Sequence, residues 1–171
     1  MVGTPCQVRA LRKIGTGVYS DVRIADAVAL NIGLFCMETF SHSSLMEFLK
    51  KEGVDASKVT KFDIKRGRFI AYQDGEAVYK AKLSKVKEFV RPCCHLCDDF
   101  AAEFADLSAG NVGSPDGWST VIVRTERGEI ALRAAEKGGL IEVKPIEEVK
   151  PGLKSVIKLS KMKKKEAKDQ E

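Results

Sequence analysis

The apolar positions divide the chain into stretches of different period. Residues 28–36 are almost continuously apolar, the pattern of a strand buried on both faces of a parallel sheet. Residues 1–5 read as the end of a strand running into a turn, followed by a helix over about 7–13. A strand does not begin at its own C-terminal end, so a further N-terminal portion is expected before residue 1. Residues 44–51 carry Leu45, Phe48 and Leu49 at helical spacing, with Gly53 as the stop. Residues 60–72 alternate Phe62, Ile64, Phe69 and Ala71, interrupted by Gly67. Asp74-Gly75 is a hairpin turn signal, and residues 77–82 return.

The second half is more broken. A short helix is expected over 98–104 and a strand over 119–125. A turn follows at Arg127-Gly128-Glu129, then a strand over 130–132, a helix over 132–137 and a last strand over 141–143. A helix is expected after Pro151, but residues 161–171 are so poor in apolar side chains that they read as a solvated, frayed end. There is no internal repeat. The order predicts an α/β fold: a mixed sheet with parallel strands near the N-terminus, a β-hairpin element, a cysteine-rich loop and a Lys-rich tail. The expected division is a domain over 1–152 and a basic tail over 153–171.

At 171 residues, 44% hydrophobic and 31% charged, the chain falls among globular domains with a core of their own. No apolar run approaches the roughly 20 residues that span a bilayer. The longest, 24–37, is interrupted by Asp26 and Asn31. No secretory leader pattern is present, which predicts a cytoplasmic address. The net charge of +5 is unevenly placed: residues 150–171 hold 8 Lys and 3 acids, and residues 1–149 hold 21 basic and 21 acidic residues. A neutral body speaks against nucleic-acid binding, which needs a basic folded face.

Five cysteines in a chain of this kind point to metal or redox chemistry rather than to disulfides, and their odd number pairs poorly. Cys94-His-Leu-Cys97 has the two-residue spacing common to zinc, dithiol and cluster loops. Cys6 and Cys36 each follow a short apolar run, so each is placed at a strand end. Asp98 and Asp99 would raise a neighbouring thiol's pKa and speak against a thioredoxin-type pair. Structural zinc usually draws on two closely spaced pairs, whereas Cys6 and Cys36 are singletons. Three readings remain open: an iron–sulfur cluster on Cys6, Cys36, Cys94 and Cys97, a zinc site, or unrelated thiols. Cys93 could replace Cys94. His95 reads as a solvent-facing loop residue and His42 as a surface residue at a helix start. Residues 106–114 form a glycine-rich stretch whose turned N–H groups could cradle an anion, and residues 3–7 form a similar turn opening a helix. Trp118 reads as a core anchor or an aromatic stacking surface.

Taken together, Gly3-Thr4-Pro5-Cys6-Gln7-Val8, Gly33-Leu34-Phe35-Cys36-Met37-Glu38, Cys94-x-x-Cys97-x-Asp99-Phe100, Ala105-Asp106-Leu107-Ser108-x-Gly110-x-x-Gly113 and Gly117-Trp118-Ser119-Thr120 resemble the beta subunits of coenzyme F420-reducing hydrogenase and F420-linked formate dehydrogenase. The resemblance runs to about residue 160. It implies an F420-dependent oxidoreductase subunit with a [4Fe-4S] cluster on Cys6, Cys36, Cys94 and Cys97. It further implies FAD, coenzyme F420 as substrate, and hydrogenase or formate dehydrogenase catalytic and electron-transfer subunits as partners. Thr4, Pro5, Gln7, Asn111, Val112, Gly113, Ser114 and Trp118 become the expected flavin and deazaflavin pocket. Flavin chemistry needs no side-chain acid or base, so no catalytic residue is expected. Family members carry a further N-terminal segment, so this chain is expected to bind FAD weakly or only with a partner. The rival from another class is a zinc-stabilised or metal-free interaction module without redox activity, which predicts a colourless protein.

Overall fold

The computed structural model describes residues 1–16 and 22–169. In chain order its regular elements are β1 (Val2–Gly3), α1 (Pro5–Thr16), α2 (Val22–Asp26), β2 (Ile32–Leu34), α3 (His42–Lys51), β3 (Lys61–Lys65), β4 (Arg68–Gln73), β5 (Glu76–Lys82), α4 (Leu83–Val86), β6 (Leu107–Gly110), β7 (Thr120–Val123), α5 (Glu126–Lys137) and α6 (Leu153–Lys168). The chain divides into two compact units, one formed by residues 1–37 with 96–171 and the other by residues 38–95. The mixed α/β architecture is the one the sequence predicts. Among the described residues no helix is long and apolar enough to cross a membrane.

The larger unit is built on a four-stranded sheet of order β1-β2-β6-β7. β1, β2 and β6 run parallel, with Gly3 opposite Gly33 and Gly33 opposite Ser108, and β7 closes the sheet antiparallel to β6. The strand expected over 28–36 is shortened to β2, and it is not buried on both faces, since Leu34 is 43% exposed. The cause lies at Asn31. Its N–H donates to Asp106 Oδ2 at 2.8 Å and its carbonyl accepts from Asp106 N at 2.9 Å, so the ladder starts only after it.

Asp106 ties four segments together. Besides the N–H of Asn31 it accepts from Arg12 Nη2 of α1 at 3.0 Å and from Thr125 Oγ1, the N-cap of α5, at 2.9 Å. Burial alone would push this carboxyl up. The Asn31 N–H, the Thr125 hydroxyl and the Arg12 guanidinium together outweigh that and hold it below its ordinary value.

Several sequence expectations fail in this unit. Residues 98–104 form no helix, because Asp99 Oδ2 takes the Glu103 N–H at 2.9 Å that a helix would give to the Asp99 carbonyl. Ala102 is then turned to a φ of 54°. The turn and strand expected over 127–132 are instead the first turns of α5, capped by Thr125 and carrying Glu126 and Glu129 in the first turn. Gly128, read as a turn residue, is a contact residue: a Cβ there would lie 2.4 Å from the Asp106 carbonyl oxygen. Residues 141–143 form no strand, and residues 107–110 of the glycine-rich stretch are β6 rather than loop. Residues 161–168, expected as part of a frayed end, are helical. α6 continues to Lys168 and buries Val156, Lys163 and Ala167 on one face.

The smaller unit is an antiparallel meander, β3-β4-β5, with turns at Arg66-Gly67 and Asp74-Gly75. The first turn falls at Gly67, where the alternating stretch over 60–72 is interrupted. Leu45, Phe48 and Leu49 of α3 pack with Phe69 and Val86 into its core. The helix expected over 44–51 is therefore observed, and His42 stands at its start.

Asp106→Asn is expected to lower stability to urea by about 2 kcal/mol near neutral pH, the scale of lost hydrogen bonds to a charged group. Because the folded-state pKa lies below the ordinary 3.8, the contribution is full above that value and is lost as pH falls through the depressed folded value. The gap between the two proteins should therefore close in acid.

Candidate functional site

The parallel pairing of β1 and β2 places the first two predicted thiols. Gly3 lies opposite Gly33, and Cys6 and Cys36 each follow their glycine by three residues. Both leave the carboxyl edge of the sheet, where ligands of open α/β sheets characteristically sit. The chain after β6 leaves the same edge and forms the loop Asn111–Ser114.

Each segment is held by its own sequence. Thr4-Pro5-Cys6-Gln7 has the spacing of a helix capping box with proline at the first helical position. The Thr4 N–H donates to Gln7 Oε1 at 2.8 Å, and the Thr4 hydroxyl lies 3.2 Å from Cys6 Sγ. Cys6 is exposed and Pro5 fully buried. The Cys36 N–H donates to the Phe100 carbonyl at 2.9 Å, and the Phe35 and Phe100 rings meet at 5.3 Å. The Cys97 thiol points at the Asp99 carbonyl at 3.6 Å. Arg9 on α1 pairs with Asp98 at 2.5 Å, so the helix carrying Cys6 is fastened to the residue after Cys97. The Arg9 hydrogen bond holds Asp98 below its ordinary pKa, whereas burial pushes its neighbour Asp99 up.

Asp99 is 1% exposed, and its Oδ1 has no hydrogen-bond partner among the described residues. Arg124 Nη1 donates to Ser108 Oγ at 2.7 Å and its Nη2 to the Ala101 carbonyl at 3.0 Å, which closes the segment behind Cys97 onto β6.

The structure therefore brings Cys6, Cys36 and Cys97 onto mutually fastened segments of one unit. The unit boundary runs through the Cys94-x-x-Cys97 loop and assigns Cys93 and Cys94 to the smaller unit. There the Thr39 N–H donates to Cys94 Sγ at 3.4 Å, while Cys93 and His95 are exposed. Among the described residues no disulfide joins any of the five cysteines. Nor are three or more His, Cys, Asp or Glu side chains of the described residues gathered closely enough to hold a metal ion as they stand. The donors nevertheless fit an iron–sulfur cluster in kind. They are unoxidised thiols at strand ends and turns, and one receives a backbone N–H of the sort that stabilises a thiolate.

The predicted pocket loops divide. Thr4, Pro5 and Gln7 cap and start α1, so their side chains already have structural partners. Val112 packs against the cluster of Phe100, Ala101 and Val156, as do Phe35 and Met37, the neighbours of Cys36. Gly113 has a φ of 99° and its carbonyl accepts from Gly152 N at 2.9 Å. Asn111 is exposed, and Ser114 Oγ lies 2.7 Å from Thr120 Oγ1. Trp118 is half-buried outside the core clusters, with Lys144 Nζ 4.4 Å over its ring, so of the two readings offered for it the core anchor does not hold.

Sequence reasoning missed Arg9, Arg124 and Lys163. For Lys163 a signal existed: Val156, Leu159, Lys163 and Ala167 recur at helical spacing, with a lysine at an apolar-face position.

A protein-family model for the C terminus of the coenzyme F420 hydrogenase/dehydrogenase beta subunit matches residues 1–149. The chain is 44% identical over 167 residues to coenzyme F420 hydrogenase subunit beta of Methanothermobacter thermautotrophicus, covering 97% of this chain and 59% of that protein. It is 40% identical over 162 residues to the coenzyme F420-dependent sulfite reductase of Methanocaldococcus jannaschii, covering 88% of this chain and 26% of that protein. Among solved structures, a chain of the xenon-derivatised F420-reducing [NiFe] hydrogenase complex of Methanosarcina barkeri superposes with a TM-score of 0.91 at 38% identity. That match covers 99% of this chain and 58% of the other. The chain thus spans somewhat less than three-fifths of the length of the hydrogenase subunits it matches.

The close approach of Gly110 to Phe35 tests the edge that carries Cys36. A Cβ at Gly110 would lie 2.4 Å from Phe35 ring carbons. Gly110→Ala is expected to lower unfolding stability by about 1–3 kcal/mol, the range for overpacking. Urea denaturation indistinguishable from the parent would show that Phe35 is not held there.

Proposed function

The chain belongs to the coenzyme F420 hydrogenase/dehydrogenase beta-subunit family, and we propose that it is the part of such a subunit that holds a [4Fe-4S] cluster and couples it through FAD to coenzyme F420. The observation that carries this reading is the matched position of Cys6 and Cys36, three residues beyond paired glycines on adjacent parallel strands. When bound, a cluster would supply electrons singly, a flavin would pair two of them with a proton as a hydride equivalent, and a deazaflavin would accept that hydride.

The residues divide the work. Cys6, Cys36 and Cys97 supply thiolates from the larger unit, and Cys94 completes the set by its spacing to Cys97. The Thr4 hydroxyl beside Cys6 and the Thr39 N–H at Cys94 offer hydrogen bonds to the sulfurs, which offset part of the cost of holding negative charge away from bulk water. The loop Asn111–Ser114 and the start of α1, with Trp118, supply backbone and ring surface to the flavin and deazaflavin. Residues 1–152 act as this cofactor domain, and a hydrogenase or dehydrogenase partner donates or accepts the electrons. No side chain of this chain is assigned as acid or base.

Anaerobic reconstitution of single cysteine variants tests the ligand set. Cys97→Ser is expected to abolish the visible absorption of the cluster, and Cys93→Ser to leave it nearly unchanged. An undiminished band in Cys97→Ser would refute the assignment. Bleaching by Cys93→Ser with a silent Cys94→Ser would move the fourth ligand by one residue. A colourless parent that binds zinc would favour the interaction-module reading.

A further inference from the structure

We propose that the outer face of the β3-β4-β5 meander is a docking surface for an acidic segment of another protein, which Arg66, Arg68, Lys80 and Lys82 receive. These residues all belong to the smaller unit, and their role is independent of the cluster reading above.

Strand register gathers the charge. Arg68 of β4 stands opposite Lys82 of β5 on one side and Lys65 of β3 on the other. Lys80 stands opposite Ile70, two residues along on the same face. Phe69, Ala71 and Ala81 alternate to the other face and are buried. Arg66, Arg68, Lys80 and Lys82 are exposed. Lys65, Arg66, Arg68 and Lys80, with Ile70, line an open depression of about 540 Å³. The ion pairs of this unit use Lys51, Lys58, Lys85 and Lys87. Among the described residues none joins Arg66, Arg68, Lys80 or Lys82 to a carboxylate.

Folding stability does not account for this arrangement. Like charges directly opposite each other on adjacent strands, as at Arg68 and Lys82, weaken a sheet. The turns of the meander supply an internal comparison. Both have two residues, each with positive φ, a geometry that favours Asn-Gly or Asp-Gly. The second turn follows that preference with Asp74 at φ 49° before Gly75. The first holds Arg66 at φ 52° before Gly67, and an arginine gains nothing from left-handed backbone. An arginine is thus set against local preference beside cations that repel one another. An anionic partner explains both features.

The layout also selects the partner. The four cations are exposed around an open depression, so retention requires several contacts made at once. Cross-strand neighbours lie about 5 Å apart and same-face neighbours along a strand about 7 Å. That spacing matches carboxylates at i and i+4 on a helix, about 6 Å apart, and arginine takes a carboxylate through two parallel hydrogen bonds. A nucleic-acid backbone would need an unbroken basic track. Here Asp63 stands opposite Ile70 on the same face, and Asp74 and Glu76 occupy the far end of the meander. The divided charge fits a protein segment whose acidic residues meet the Arg66 end.

The test measures binding of a short fluorescent Asp/Glu peptide to the full chain by anisotropy at low salt. Arg68→Gln/Lys82→Gln is expected to weaken binding about fivefold or more. Lys154→Gln/Lys158→Gln removes the same charge from exposed positions of α6 and should change it less than about twofold. Arg66→Asn is expected to weaken the peptide yet raise the urea midpoint, because Asn suits the turn. No binding by the parent, or equal losses in the two double variants, overturns the proposal, and so does a lowered urea midpoint in Arg66→Asn. A DNA duplex bound more tightly than the peptide, with the same dependence on Arg68 and Lys82, overturns the choice of a protein segment. Should Arg68→Gln/Lys82→Gln fail to fold, Lys80→Gln replaces it: weakened binding supports the surface, and parent affinity overturns it.

Discussion

One buried carboxylate organises the larger unit. Asp106 receives the N–H of Asn31, the guanidinium of Arg12 and the hydroxyl of Thr125, and so fixes the entry to β2, the helix α1 and the start of α5 against β6. Two glycines allow the backbones to close around it. A Cβ at Gly33 would meet Ala102 Cβ at 2.2 Å, and one at Gly128 would meet the Asp106 carbonyl at 2.4 Å. A buried charge of this kind is tolerable because each oxygen is satisfied, and removing one partner would leave the others exposed to the full desolvation cost.

With that frame set, the candidate site follows from strand direction. Three parallel strands end at one edge, and the chain leaves that edge as the Cys6 helix, the Cys36 turn and the Asn111–Ser114 loop. The segment carrying Cys97 is drawn to the same strands by the Cys36–Phe100 hydrogen bond and by the Arg9–Asp98 pair. Asp99 supplies the irregularity this needs. By taking the Glu103 N–H with its side chain it prevents a helix and frees its own carbonyl toward Cys97.

Much of this was legible in the sequence, and the rest was hidden for definite reasons. The turn that opens α1, the helix α3 and the Asp74-Gly75 turn were readable because spacing and turn chemistry act locally. Gly128 misled because a glycine demanded by a close tertiary approach looks like one demanded by a turn. Asn31 delayed the start of the expected strand through a partner 75 residues away. α6 misled because its buried face is narrow: Val156, Leu159, Lys163 and Ala167 form a stripe that total hydropathy conceals. For Trp118 the sequence left core anchor and stacking surface open; it is half-buried outside the core clusters, with Lys144 over its ring.

The most direct measurement is the iron, acid-labile sulfide, flavin and zinc content of the chain purified without oxygen. About four irons and four sulfides per chain, with FAD present or restorable, is the result expected of the cluster-bearing part of an F420-linked subunit. One zinc per chain and no iron or sulfide, unchanged after attempted cluster reconstitution, would contradict it.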